Sequence, residues 1–394
     1  MRRHEEWREV GGADALDTAL PPARADSASW LRPLRTRAAL GLAPAVAPAV
    51  LFVPIGAALG PAFTNVLNPA ALGHLDAVVA VALAVLGVFA GLALALEGPR
   101  DSRAFVAASL EAGVTLLIVA AAFTVLLGAW GMPLAMPVGL VATTLGLCAS
   151  VSSASSSSDV SPTHTLAVRI ADLDDVLPIV VSGLVVAVVG RSVAAPIADM
   201  ATWAAWTVLL GAAMGVAGWM LFERAHSRAE RNVFIAGILA LIGGTSSYLG
   251  LSPLLAGLVA GGLWVRLPGH ADRVVREDLQ RVQHPLLVVL LLVAGASCGF
   301  SREAVWLSAP LVLFRLTGKL TGGWLATRLH GHMSAGELGL HLVAPGLLGI
   351  AIALHLLQVV RTPGMTAVLT AVVVATLASE ALALVLRPAD EGRG

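Results

Sequence analysis

Between Ala38 and Leu386 the chain passes through twelve apolar stretches, and no other feature constrains its fold as strongly. They cover roughly 39–60, 75–96, 104–129, 134–156, 166–189, 200–222, 232–248, 251–266, 284–300, 303–328, 335–357 and 365–386. Most approach the ~20 residues that a helix needs to cross ~30 Å of hydrocarbon. At that depth no water is available to backbone N–H and C=O groups, so a spanning segment satisfies them internally as a helix. Charged residues make up 13% of the 394, and mean hydropathy is +0.84. Soluble domains carry roughly 25% charged residues, so the composition excludes an ordinary soluble enzyme as well as a disordered chain. The expected fold class is all-α: a polytopic membrane protein of about 12 transmembrane helices.

The formal net charge is zero. That offers no bulk attraction to nucleic acid, and the expected surroundings are membrane lipid. The cysteines, Cys148 and Cys298, both lie in apolar stretches and suggest neither a disulfide nor a zinc framework. No GxxxxGK[ST] loop occurs, so direct ATP coupling is not indicated, and no cofactor is expected.

Arginine placement supports the segment count. With the N-terminus inside, the inner segments carry 20 Arg and the outer loops 3, as the positive-inside rule requires. Both termini are then cytoplasmic, and the polar stretch 1–37 reads as a cytoplasmic tail rather than a signal peptide. The basic residues left over are Arg315 and Lys319, and Lys319 is the one lysine in the chain.

Charges inside a bilayer are expensive and default to functional candidates. The fifth segment holds Asp172, Asp174 and Asp175, and the tenth holds Arg315 and Lys319. Counted from the inner helix ends, Asp174 lies ~12 Å deep and Lys319 ~14 Å deep at 1.5 Å per residue. An interhelical salt bridge at one depth is therefore reasonable, with Arg315 one turn further out on the face of Lys319. Asp174 and Asp175 point ~100° apart on a continuous helix, whereas Asp172 and Asp175 share a face. This leaves Asp172 as a rival second acid. Glu111, in the third segment, is read first as a lateral polar contact and second as a neighbour of the site. Glu380 reads as a snorkelling residue near a helix end, Asp76 as interfacial, and His341 and His355 as structural.

Two segments are interrupted. The fourth ends in V-S-S-A-S-S-S-S-D, residues 151–159, which includes Ser155 and Ser156. The eleventh contains V-A-P-G-L-L-G, residues 343–349, with Pro345 near its middle. Helix breaks within a membrane are tolerated where they line a cavity. Broken helices at corresponding places in two halves mark the ion or substrate site of inverted-repeat transporters. Segments 3–5 and 10–12 would be the two repeats, with the fourth and eleventh as broken crossing helices.

These residues resemble a family. A-D-L-D-D-V-L-P-I (171–179), S-P-L-L-A-G-L-V-A-G-G-L (252–263) and F-R-L-T-G-K-L-T-G-G-W-L (314–325) are similar to the paired-acid, glycine-rich and lysine-bearing helices of monovalent cation/proton antiporters of the NhaA and NapA type. The resemblance runs from about residue 75 to 386. It implies a core ion-translocation domain (104–190 and 303–387) moving against a dimerisation or scaffold domain (38–100 and 200–300), and a homodimer. It also implies that Asp175 binds the cation, Na+ or Li+, or the proton, while Asp174 pairs with Lys319. Two ionisable acids would make the exchange electrogenic. The serine run in place of the family's helix 4 signature leaves the ion and its ligands there open. The expected function is exchange of a monovalent cation for protons, in a bacterial inner membrane. The alternatives are a sodium-coupled organic-anion symporter on the same inverted-repeat fold and a potassium/proton efflux system.

Overall fold

The computed structural model describes residues 48–94, 99–130, 144–146, 170, 173–189, 197–268, 271–330 and 346–386. The described residues form eleven helices and no strand: α1 (Pro48–Leu59), α2 (Pro69–Leu92), α3 (Pro99–Trp130), α4 (Val176–Val189), α5 (Ile197–Arg224), α6 (Arg228–Leu249), α7 (Pro253–Arg266), α8 (Ala271–Ala296), α9 (Arg302–His330), α10 (Leu348–Val359) and α11 (Pro363–Leu386). They correspond to eleven of the twelve apolar segments. Of the fourth segment only the helical residues 144–146 are described. The tail 1–37, Asp172, Ser155, Ser156, Pro345 and His341 lie outside the described residues, and so do the interruption expected in the fourth segment and residues 343–345 of the one expected in the eleventh.

Local chemistry sets the helix ends. Asn68 and Ser252 are N-caps, each followed by a proline at the first helical position, where a missing N–H costs nothing. Their side chains accept the N–H of Ala71 at 2.8 Å and of Leu255 at 3.3 Å. Ser227 caps α6 by accepting the Glu230 N–H at 3.1 Å. Helix α6 closes on Gly250 at φ +69°, a left-handed conformation that costs glycine little. The Leu251 N–H then reaches back to the Ser246 carbonyl at 2.8 Å, and α7 begins two residues later.

Among the described residues, five stretches are long and apolar enough to cross a membrane: Pro69–Leu92, Ala104–Gly128, Ala201–Arg224, Arg228–Leu249 and Pro363–Leu382. Such lengths span roughly 30–38 Å. Exposed apolar side chains such as Leu117 and Val125 on α3 fit a lipid-facing surface, where water would penalise them.

Small residues let the helices approach. Gly87 and Gly91 on α2 face α7, while Gly257 and Gly261 on α7 face α2. A Cβ at any of the four would run into the opposite backbone. Lipid gives apolar helices no hydrophobic reason to associate, so close backbone approach and dispersion supply the attraction. Helices α1, α2 and α5–α8 pack chiefly on one another, whereas α3 packs on α9, α9 on α11, and α11 on α10. Helix α4 touches both sets, meeting α7 and α5 as well as α3 and α10. Between α8 and α9, Thr370 of α11 donates its hydroxyl to the Gly299 carbonyl at 3.1 Å and accepts the Gly299 N–H at 3.0 Å.

Candidate functional site

Helix α3 carries Glu111 and Thr115, four residues apart and so on one face. Helix α9 presents Gly318 and Gly322 to that face. A Cβ on Gly318 would lie 2.8 Å from the Thr115 methyl, and one on Gly322 would lie 2.9 Å from the Glu111 carbonyl oxygen. The two backbones therefore meet almost directly. Lys319, between the glycines, is carried up to the Glu111 side chain.

The ammonium of Lys319 is wholly buried and meets three carboxylate oxygens. They are Asp174 Oδ2 at 2.9 Å, Glu111 Oε1 at 3.0 Å and Glu111 Oε2 at 3.1 Å. Thr115 donates its hydroxyl to Glu111 Oε1 at 3.2 Å. Glu111, Thr115, Asp174 and Lys319 are all completely excluded from solvent. Arg315, one turn away on α9 and also buried, lies in the electrostatic field of Glu111, Asp174 and Glu380. Each ion pair near 3 Å, Lys319–Glu111 and Lys319–Asp174, is worth ~5 kcal/mol of gross attraction at an effective dielectric near 20. Burial costs several kcal/mol per ion. The cluster therefore holds while its charges stay matched and is penalised when one is removed.

Asp174 is not in the middle of an unbroken helix, as the sequence reading expected. Leu173 and Asp174 are helical, Asp175 forms a turn, and α4 starts at Val176. Pro178 explains the break. Four residues beyond Asp174, it has no N–H to donate to the Asp174 carbonyl, and its ring would crowd that carbonyl in a continuous helix. In the first turn of α4 the same proline is harmless, because an N–H there has no helical partner. The ladder resumes with Ile179 N–H donating to the Asp175 carbonyl at 3.2 Å. The break leaves Asp174 buried and Asp175, beside it, only partly so.

Of the candidates read from the sequence, Glu111, Asp174, Lys319 and Arg315 converge, and Asp175 adjoins them. Glu111 departs from its first reading: it is directly on the lysine rather than at a lateral contact. The available signal was the spacing Gly318-x-x-x-Gly322, which marks a close approach by another helix. Glu380 is half-buried on α11, within the field of Arg315. His355 lies elsewhere. It is buried on α10 and lines a cavity of about 270 Å3 with Asp76, Ser247, Gln358 and Arg361. There Asp76 accepts from Gln358 Nε2 at 2.9 Å and Arg361 Nη2 at 2.8 Å. Among the described residues, no three His, Cys, Asp or Glu side chains converge as a resident metal centre would require.

No family model matches the chain, and no curated protein matches it in sequence. Solved structures do match it. One is the sodium proton antiporter MjNhaP1 from Methanocaldococcus jannaschii at pH 8, aligned over 91% of this chain and 92% of that one, with a TM-score of 0.61 and 14% identity. The chain has the fold of a monovalent cation/proton antiporter. At 14% identity the likeness concerns the path of the helices. It also makes this an integral membrane fold, in keeping with the five apolar spans.

Proposed function

We propose that the chain is a secondary antiporter exchanging a monovalent cation, Na+ or Li+, for protons by alternating access at Asp174 and Asp175. The observation that carries this reading is a buried lysine held between carboxylates at a helix break, in an antiporter fold. Asp175, partly accessible and next to the lysine-bound Asp174, takes the transported ion. Burial favours the neutral acid and nearby cations favour the carboxylate, so small changes in surroundings or pH decide whether a proton or a cation occupies the site. A hard cation takes oxygen ligands, here from the acids and from hydroxyls near them. Lys319 neutralises Asp174 when no cation is present. The reading extends to a homodimer in a bacterial inner membrane with both termini cytoplasmic, and to a core of α3, α4 and α9–α11 moving against the remaining helices.

The test is collapse of a pH gradient in proteoliposomes by added NaCl, LiCl or KCl, comparing wild type with Asp175→Asn. The expected result is a cation-specific response in the wild type that the variant lacks. Retained cation-driven proton flux in Asp175→Asn overturns the assignment of Asp175. A wild type silent toward all three salts overturns antiport and directs attention to carboxylate substrates with sodium.

A further inference from the structure

Among the described residues two acids contact Lys319, and they are mounted differently. Asp174 contributes one oxygen and sits immediately before the turn that interrupts the helix ahead of α4. Glu111 contributes both oxygens and sits within a continuous helix of 32 residues. Its backbone is pressed against Gly322, and one of its oxygens accepts the Thr115 hydroxyl. One partner is thus fixed on three sides, while the other lies where the backbone ladder is open.

We propose that Glu111 is the standing counter-ion of Lys319, a positioning residue that keeps the ammonium charged and in place while Asp174 gives it up to a proton or cation. This rests on the antiport reading. If Asp174 were the sole partner, neutralising it would leave a buried ammonium without a counter-charge, which is costly. With Glu111 attached, the ammonium still faces an opposite charge when Asp174 leaves it, and the exchanged protons are carried by Asp174 and Asp175. Among the described residues, the charged groups in contact with Lys319 are Glu111 from α3 and Asp174 ahead of α4; Asp175 follows Asp174 in the chain, and Arg315, one turn away on α9, lies in the field of Glu111, Asp174 and Glu380 of α11.

The full-length protein in proteoliposomes tests this with Glu111→Gln, Glu111→Asp and the charge-balanced pair Glu111→Gln/Lys319→Gln. Without Glu111 more of the lysine's attraction falls on Asp174, so a cation or a proton competes less well there. Glu111→Gln is expected to raise the apparent KM for the cation about threefold or more and to move the activity profile to lower pH, with kcat changed less than KM. Glu111→Asp is expected to recover much of both. A wild-type KM and pH profile in Glu111→Gln overturns the proposal. Thermal stability gives a second reading should Glu111→Gln fold poorly. The double variant is expected to be more stable than Lys319→Gln alone, because it leaves one fewer unmatched carboxylate. Losses that simply add overturn the pairing, whether or not the wild type exchanges cations. Coupled losses in a wild type silent toward Na+, Li+ and K+ keep the pairing and overturn the antiport reading, and with it the role in exchange.

Discussion

Gly322 of α9 lies directly against Glu111 of α3: a Cβ there would stand 2.9 Å from the Glu111 carbonyl oxygen and 3.1 Å from its Cα. Neither atom belongs to a flexible side-chain end, so an added methyl has to push two helices apart. Gly322→Ala is expected to destabilise the protein by about 1–3 kcal/mol, the usual cost of overpacking. It should also weaken exchange, although no charge is altered. Thermal unfolding in detergent and transport in proteoliposomes check the two effects separately.

Lys319→Met removes the cation between Glu111 and Asp174 and leaves two buried carboxylates facing each other. Breaking a buried ion pair at one partner costs about 3–5 kcal/mol. The expected outcome is a large fall in melting temperature, partly reversed by a second change, Glu111→Gln. A melting temperature unchanged by Lys319→Met would mean that water or a rearrangement already compensates the cluster.

The neighbouring aspartates are expected to separate. Asp174 is fully buried on the lysine, while Asp175 is only partly buried. Asp174→Asn should lower thermal stability clearly, by about 1–3 kcal/mol for a lost charged hydrogen bond. Asp175→Asn should leave stability within about 1 kcal/mol and abolish cation-driven proton flux. Melting curves beside flux assays would expose a reversed ranking at once.

Pro178→Ala restores an N–H that can reach the Asp174 carbonyl. A proline within a helix costs about 3 kcal/mol or more, but at the start of α4 most of that is avoided by the turn. Stability should therefore change little. Closing the turn would rotate Asp174 away from Lys319, and exchange is expected to drop about tenfold or more, since displacement of a positioned group by about 1 Å can cost 10²-fold. Unaltered exchange would show that the break is not what seats Asp174.

The membrane segments were legible because the hydrocarbon core sets a length, and length is written directly in sequence. Depth was legible for the same reason: counting residues from helix ends put Lys319 and Asp174 at one level, and their side chains meet at 2.9 Å. Facing was not. A helix apolar all round does not advertise which stripe turns inward, so Glu111 was ambiguous until the Gly318 and Gly322 contacts fixed the face of α9. The turn at Asp175 was encoded by Pro178, but a proline inside an apolar run can end a helix, kink it or begin a new one. Only the backbone around Asp174 distinguishes these.

Far from the lysine, one carboxylate fastens α2 to the end of α10: Asp76 holds Gln358 on one oxygen and Arg361 on the other. Any movement parting those two helices must release both donors. It is a light clasp. The Arg361 side chain is 72% exposed, and such solvent-facing pairs contribute about 1 kcal/mol or less. Thermal motion can open it often, and salt, by screening the pair, sets how often.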